Sequence, residues 1–417
     1  MKKLLCFSLC IIIAGSFNSC VKDSCLHSTS YSWFEPVYKT IAEVRANIKS
    51  NPARNIKTPG KLFIIGKYIF LNEMNKGVHI IDNSNPAAPV NVGFIDITGN
   101  IDIAVKGNTL YADLYSDLVT LDISNPLNVV KTKIIDNVFP HRYYGFYADS
   151  SKIIYDWIRH DTTITSDCSQ NNRYGQWGGG IYPMGDNLAS NSSFIGGSPA
   201  GIAGSMARFA LMNNYLYTVG DAKLQVFNIA EANNPQVTNT IDLNFGIETI
   251  YPFKDKLFIG SNTGIFIFNT TDPNKPVQVS QFTHARVCDP VIADSNYAFI
   301  TLRNGTKCGG FLNELEIVDI SNLNAPVLLT KFDLTNPHGL SKDGNLLFIC
   351  DGKEGLKILD ASDLNKLQLI KQFKDIETYD VIAWNGLAIV VATDGLYQFN
   401  YKDVKNIKQL SKISITQ

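Results

Sequence analysis

The chain has 417 residues, 37 of them basic and 38 acidic, with 45% hydrophobic and 18% charged residues. That balance belongs to an ordinary globular protein, well away from the disordered regime, and the length suffices for a large core. A net charge of −1 with no basic run argues against nucleic acid as a partner.

The N-terminus opens with Lys2 and Lys3, continues with an apolar stretch from Leu4 to Phe17, and reaches Ser19 and Cys20. This is the pattern of a secretory signal, because the stretch falls short of the ~20 apolar residues a bilayer core requires. Phe17-Asn18-Ser19-Cys20 resembles the lipobox of bacterial lipoproteins. The resemblance implies that residues 1–19 are a signal peptide and that Cys20 becomes the acylated N-terminus. Each buried methylene of such an anchor contributes about 0.8 kcal/mol. The expected location is the bacterial envelope, on the periplasmic or surface side of the outer membrane; the alternative is a cleaved signal that releases a soluble protein. Without Lys2 and Lys3, 35 basic residues face 38 acidic ones. Of eight cysteines, Cys6 and Cys10 leave with the signal and Cys20 takes lipid, which leaves Cys25, Cys168, Cys288, Cys308 and Cys350. Five is odd, so at least one thiol stays free or pairs between chains.

Residues 21–34 are polar and read as a tether. Val37, Ile41, Val44 and Ile48 then recur at helical spacing, which predicts a short amphipathic helix over 36–49 whose apolar stripe docks on the main domain or, alternatively, recruits a partner. Tether and helix together occupy residues 20–58.

From residue 59 to 417 the chain repeats itself. Seven segments share an apolar strand ending in Asp or Asn, a polar turn usually carrying Asn and Pro, and a second strand; they start at Gly77, Asp117, Ala222, Gly264, Leu315, Gly355 and Gly395. The starts lie 40, 105, 42, 51, 40 and 40 residues apart, so the period is about 40, with two spacings stretched by insertions. A further pair of apolar strands precedes each segment, for example Ile101-DIAVKGNTLYADL. Four strands per period predict an all-β protein, a β-propeller of seven four-stranded blades. The repeated Asp82, Asp122, Asp319 and Asp360 read as turn caps, since a catalytic or metal site rarely needs the same carboxylate in every blade.

Segments such as Leu315-EIVDIS make the chain similar to the LVIVD-repeat lipoproteins of Gram-negative bacteria, a family whose function is generally unassigned. The likeness runs from about Glu35 to the C-terminus. It includes the non-repeated stretches Gly204-SMARFA, Arg286-VCDP with Lys307-CGG, Asn336-PHGL and Thr378-YDVI, and it departs at the proline-free turns after Asp360 and Asn400. Between blades two and three an insertion of residues 139–205 contains a predicted strand pair within 144–165, followed by Gly- and Ser-rich sequence. A loop of that length in a compact domain is functional or poorly ordered.

Propellers commonly bind ligands at the mouth of the central channel. Aligning the blades places Lys61, Asp102, Arg208, Glu248, Asp289, His338 and Tyr379-Asp380 at the entry to the innermost strands. These positions differ while the framework repeats, as a specific site requires. Asp102, Arg208, Glu248, Asp289, His338 and Asp380 are therefore the candidate ligand-binding residues, His338 for its titration near neutrality and Arg208 as a clamp for a carboxylate, sulfate or phosphate. The alternative is that they satisfy one another around a water-filled channel. Cys288 and Cys308 fall in loops on the same face and are the disulfide candidate; Cys25 with Cys168 is a second possible pair. Cys350, in an apolar strand, reads as a buried free thiol.

There is no Gly-x-Ser-x-Gly elbow, P-loop, His-Glu-x-x-His, Cys-x-x-Cys or calcium loop, and no metal or cofactor is expected. The first functional expectation is an envelope binding module acting on a protein, glycan or peptide through the channel mouth. The alternatives are a polysaccharide lyase or hydrolase using His338 with mouth carboxylates, and a structural accessory of an envelope assembly.

Overall fold

The computed structural model describes residues 26–140, 152–167, 202–220, 222–243, 246–284, 290–304 and 312–415. The chain divides into two compact units, residues 1–38 with 154–186, and residues 39–153 with 187–417.

The first unit corrects two expectations. Instead of a tether, Leu26–Thr40 is a strand, and Lys152–Asp167, expected to contribute to a strand pair inside the insertion, is one long strand that pairs with it. Ser28, Ser30 and Ser32 hydrogen-bond Thr165, Thr163 and Asp161, an order that runs the strands antiparallel. On the other side of the ribbon the Trp33 ring stacks on His160 at 4.2 Å, and Glu35 hydrogen-bonds the same imidazole. The composition misled because Ser and Thr cluster over residues 28–32 of the first strand, yet in a two-stranded ribbon they pair across the sheet and need no apolar face.

The expected 36–49 helix shrinks to Ile41–Ala46, closed by a capping box between Thr40 and Glu43. Only Val44 of its stripe is fully buried, and Lys49–Asn51 leaves the helix as a strand that extends the outer edge of blade one. Arg45 ties this segment to blade two through Asp117 and Asp136, both at 2.6 Å.

The second unit is the seven-bladed propeller. Blade one comprises Pro59–Ile65, Tyr68–Glu73, Gly77–Asp82 and Val90–Asp96, and six further antiparallel four-stranded sheets follow in chain order, the last running from Thr378–Trp384 to Lys408–Ser414. The third strand of each blade is the repeat's signature strand. Its apolar residues face neighbouring blades on both sides, so Ile80, Ile81, Leu118, Val119, Ile265 and Ile317 are all fully buried.

Each third strand ends in an Asp or Asn whose Oδ1 accepts the amide two residues on. Asp82, Asp122, Asn228, Asn269, Asp319, Asp360 and Asn400 all do this. The repeated acids are turn caps. All seven blades also carry a register shift between third and fourth strands, such as Ile80/Ile81 and Gln398/Phe399, which adds twist.

Among the described residues no strand is exchanged to close the ring, because the four strands of blade one come from the start of the domain and those of blade seven from its end. Closure rests on Ile69, Leu71 and Ile81 packed against Ile382, Ile389 and Leu396. A reciprocal amide pair joins Asn83 to Gln398 at 3.0 and 2.7 Å, and Ser411 donates to the Pro86 carbonyl. Replacing Gln398, itself fully buried, by Ala is expected to cost about 1–3 kcal/mol by stranding the Asn83 amide. Urea unfolding of both single variants and the double variant checks this, and the double variant should lose less than the sum of the two.

Candidate functional site: the channel mouth

The innermost strands begin at one end of the ring, and their entry residues gather there. Lys61 of blade one and Asp102 of blade two form an ion pair at 3.0 Å, each only 2% exposed. Asp102 also accepts the Ile103 amide through Oδ1 and the Arg208 amide of blade three through Oδ2. Behind it, the Asp113 carboxylate accepts the amides of Ile101 and Asp102 and the side chain of Asn100. A single carboxylate thus joins blades one, two and three, and its charge is spent on that task.

Asp380 of blade seven is fully buried, and neither of its oxygens has a well-formed hydrogen bond among the described residues. Burial pushes its carboxyl up to about 8, while the Val381 amide and the Lys61 ammonium pull the other way. His338 of blade six is 7% exposed, sits edge-on to the Tyr379 ring at 5.1 Å, and meets the Asn336 side chain at 3.3 Å. Burial, helped by the Arg303 charge, holds the imidazole down to about 3, so it is neutral. Its titration does not fall near neutrality as the sequence suggested, because the blades pack over it. Among the described residues its ring hydrogen-bonds Asn336 and no carboxylate.

Glu248 of blade four lies within electrostatic reach of Arg303, which leaves the second strand of blade five and was not singled out from sequence as a ligand residue. The signal that could have found it is its place at the start of the enlarged loop 303–313. Cys350 is the buried free thiol expected, its ionisation suppressed by burial. Asp289, Cys20, Cys25, Cys168, Cys288 and Cys308 lie outside the described residues. Among the described residues, no three His, Cys, Asp or Glu side chains gather as metal ligands would.

The sequence did not indicate what fills the channel. Ile202–Ala203, the end of the insertion, pairs antiparallel with the free edge of blade one's innermost strand, Ile202 opposite Ile64 and Ala203 opposite Phe63. Ser205, wholly buried, then accepts the Leu340 amide of blade six at 2.8 Å, and the Ala207 carbonyl accepts the Ile250 amide of blade four. Residues 203–207 are all buried. This segment crosses the channel and reaches the mouth at Arg208, so the mouth is a floored dish and not the opening of a pore.

The comparisons with known proteins agree with this architecture. The family described as LVIVD repeat matches residues 60–96, 100–134, 289–334 and 339–375. The chain carries LVIVD repeats. The matches fall on blades one, two, five and six, whose signature strands end in Asp, while those of blades three, four and seven end in Asn. Asn keeps the cap but departs from the repeat's lettering. A protein of known crystal structure from Lactobacillus plantarum is similar with a TM-score of 0.54 at 13% identity, over 86% of this chain and 97% of its own. The computationally designed Ika8 protein is similar with a TM-score of 0.52 at 9% identity, over 88% of this chain and 90% of its own. At these identities the likeness speaks for the fold alone. No curated protein matches the chain.

Two outcomes follow from the mouth's electrostatics. Lys61→Met leaves Asp102 buried and unpaired, and is expected to destabilise the fold by about 3–5 kcal/mol in urea unfolding. Asp380 holds a proton in the fold that it releases on unfolding between about pH 4 and pH 8. The unfolded chain binds fewer protons in that window, so stability falls as pH rises through it. Asp380→Asn should match the parent near pH 4 and grow relatively more stable toward pH 8; parallel urea midpoints across that range would refute the assignment.

Proposed function

We propose that this protein is a binding module of the bacterial envelope, held by lipid on Cys20 and meeting its partner at the propeller's mouth. The observation that carries the reading is the contrast between framework and mouth. Seven blades repeat the same buried strand, cap and bulge, whereas the entry positions vary, with Lys61, Arg208, Glu248 and His338 set among the aspartates Asp102 and Asp380. A rigid scaffold that repeats and a face that does not is the arrangement of a recognition surface. The propeller fold is consistent with a binding module, and the signal-like N-terminus with its Phe17–Cys20 lipobox supports the envelope location.

The enzymatic alternative draws less support. It needs His338 poised to exchange a proton beside a carboxylate, and this imidazole is neutral with Asn336 as its hydrogen-bond partner.

Cys20→Ser is expected to move the protein from the membrane fraction to the soluble fraction after cell disruption. Retention in the membrane would remove the lipid anchor from the account. A photo-crosslinking residue placed at Asn336 should capture a discrete envelope partner, while one on the outer strand at Val327 should not. The reverse pattern would favour the structural-accessory reading.

A further inference from the structure

Burial neutralises most of the mouth. Lys61 and Asp102 cancel as a pair, the Asp380 carboxyl holds its proton, and His338 is uncharged. Among the described mouth residues Arg208 and Arg303 remain as cations, in a protein whose overall charge is −1.

The two arginines are also short of partners. Arg208 has its Nε buried with no acceptor among the described residues, while its backbone is engaged at both groups, the amide by Asp102 and the carbonyl by the Val219 amide. Arg303 is half-buried, and its guanidinium has no hydrogen bond or ion pair among the described residues, although Glu248, Tyr379 and His338 all feel its charge. A guanidinium cannot shed its proton to escape burial, so withdrawing it from water without an acceptor is costly unless something else supplies one. Arg208 opens the innermost strand of blade three and Arg303 leaves the second strand of blade five, so both stand at the same end of the ring. The buried segment 203–207 crosses the space between the blades beneath the mouth.

We propose that the channel mouth binds an oxyanion, a carboxylate, sulfate or phosphate group presented by its ligand, and that Arg208 and Arg303 hold it. The planar fork of a guanidinium matches such a group with two parallel N–H···O bonds. The neutral imidazole and the Tyr379 ring add apolar walls without competing charge. This inference rests on the reading of the mouth as the binding face and adds the chemistry of what binds there.

The test is calorimetric titration of the full chain with sodium sulfate, inorganic phosphate and succinate, with glucose as a neutral probe. Arg208→Gln, Arg303→Gln and a surface control, Lys366→Gln, are titrated in parallel. Arg208→Gln keeps the backbone amide that Asp102 requires, and unchanged urea midpoints establish that the variants fold. Saturable binding of at least one oxyanion is expected, weakened tenfold or more by either arginine substitution and untouched by Lys366→Gln. Preference for sulfate and phosphate over succinate would assign a tetrahedral anion, and the opposite order a carboxylate. No saturable oxyanion binding, or binding indifferent to both arginines, overturns the proposal. If a partner still cross-links at Asn336 in that case, the mouth remains the binding face and only the oxyanion assignment falls; if nothing cross-links there, both fall.

Discussion

Each four-stranded blade has two apolar faces, and neither can be left to water, so every sheet needs a neighbour on both sides. A row of such sheets would end in two exposed faces. Closing the row into a ring removes them, and here the closing contact is the packing of blade seven on blade one through Ile382, Ile389 and Leu396 against Ile69, Leu71 and Ile81. The Asn83–Gln398 amide pair adds two reciprocal hydrogen bonds across the seam. Because no described strand crosses the seam, the first and last blades are held together by side-chain packing, the amide pair and the Ser411 bond to the Pro86 carbonyl. Every other feature, including the position of the mouth, presupposes that closure.

Seven blades leave a central space, and the protein fills it with its own chain. The segment from Ile202 to Ala207 borrows the free edge of blade one and the Leu340 amide of blade six, groups that would otherwise face the channel. This converts a channel into a dish and explains why the entry residues are tightly tied. Lys61, Asp102 and the Arg208 backbone make a chain of bonds across three blades, which fixes that part of the rim. A preorganised rim lowers the cost of ordering side chains on binding, so a few well-placed charges can give selectivity.

The repeat was legible in the sequence because its determinants are local. An apolar strand, an Asx cap and a turn lie within about ten residues, and the seven caps from Asp82 to Asn400 bear out that reading at every position. The mouth was read from sequence as a set of aligned positions, and the structure joins three of them, Lys61, Asp102 and the Arg208 backbone, by bonds the alignment did not specify. Long-range partners were not legible. The Leu26–Thr40 strand finds its mate more than a hundred residues away, so its Ser-rich composition looked like a tether. The channel segment carries no periodic pattern, since its burial comes from blades on several sides and not from an amphipathic face. The helix fell short of its predicted length because Lys49–Asn51 gains more by extending blade one than by adding another turn.

The central claim is that residues 202–207 are built into the propeller and floor its mouth, and native-state hydrogen exchange on their amides tests it most directly. Protection approaching that of the signature strands, such as the one containing Ile80, is the result this account requires. Exchange at the rate of a free peptide would contradict it and reopen the channel as a passage through the ring.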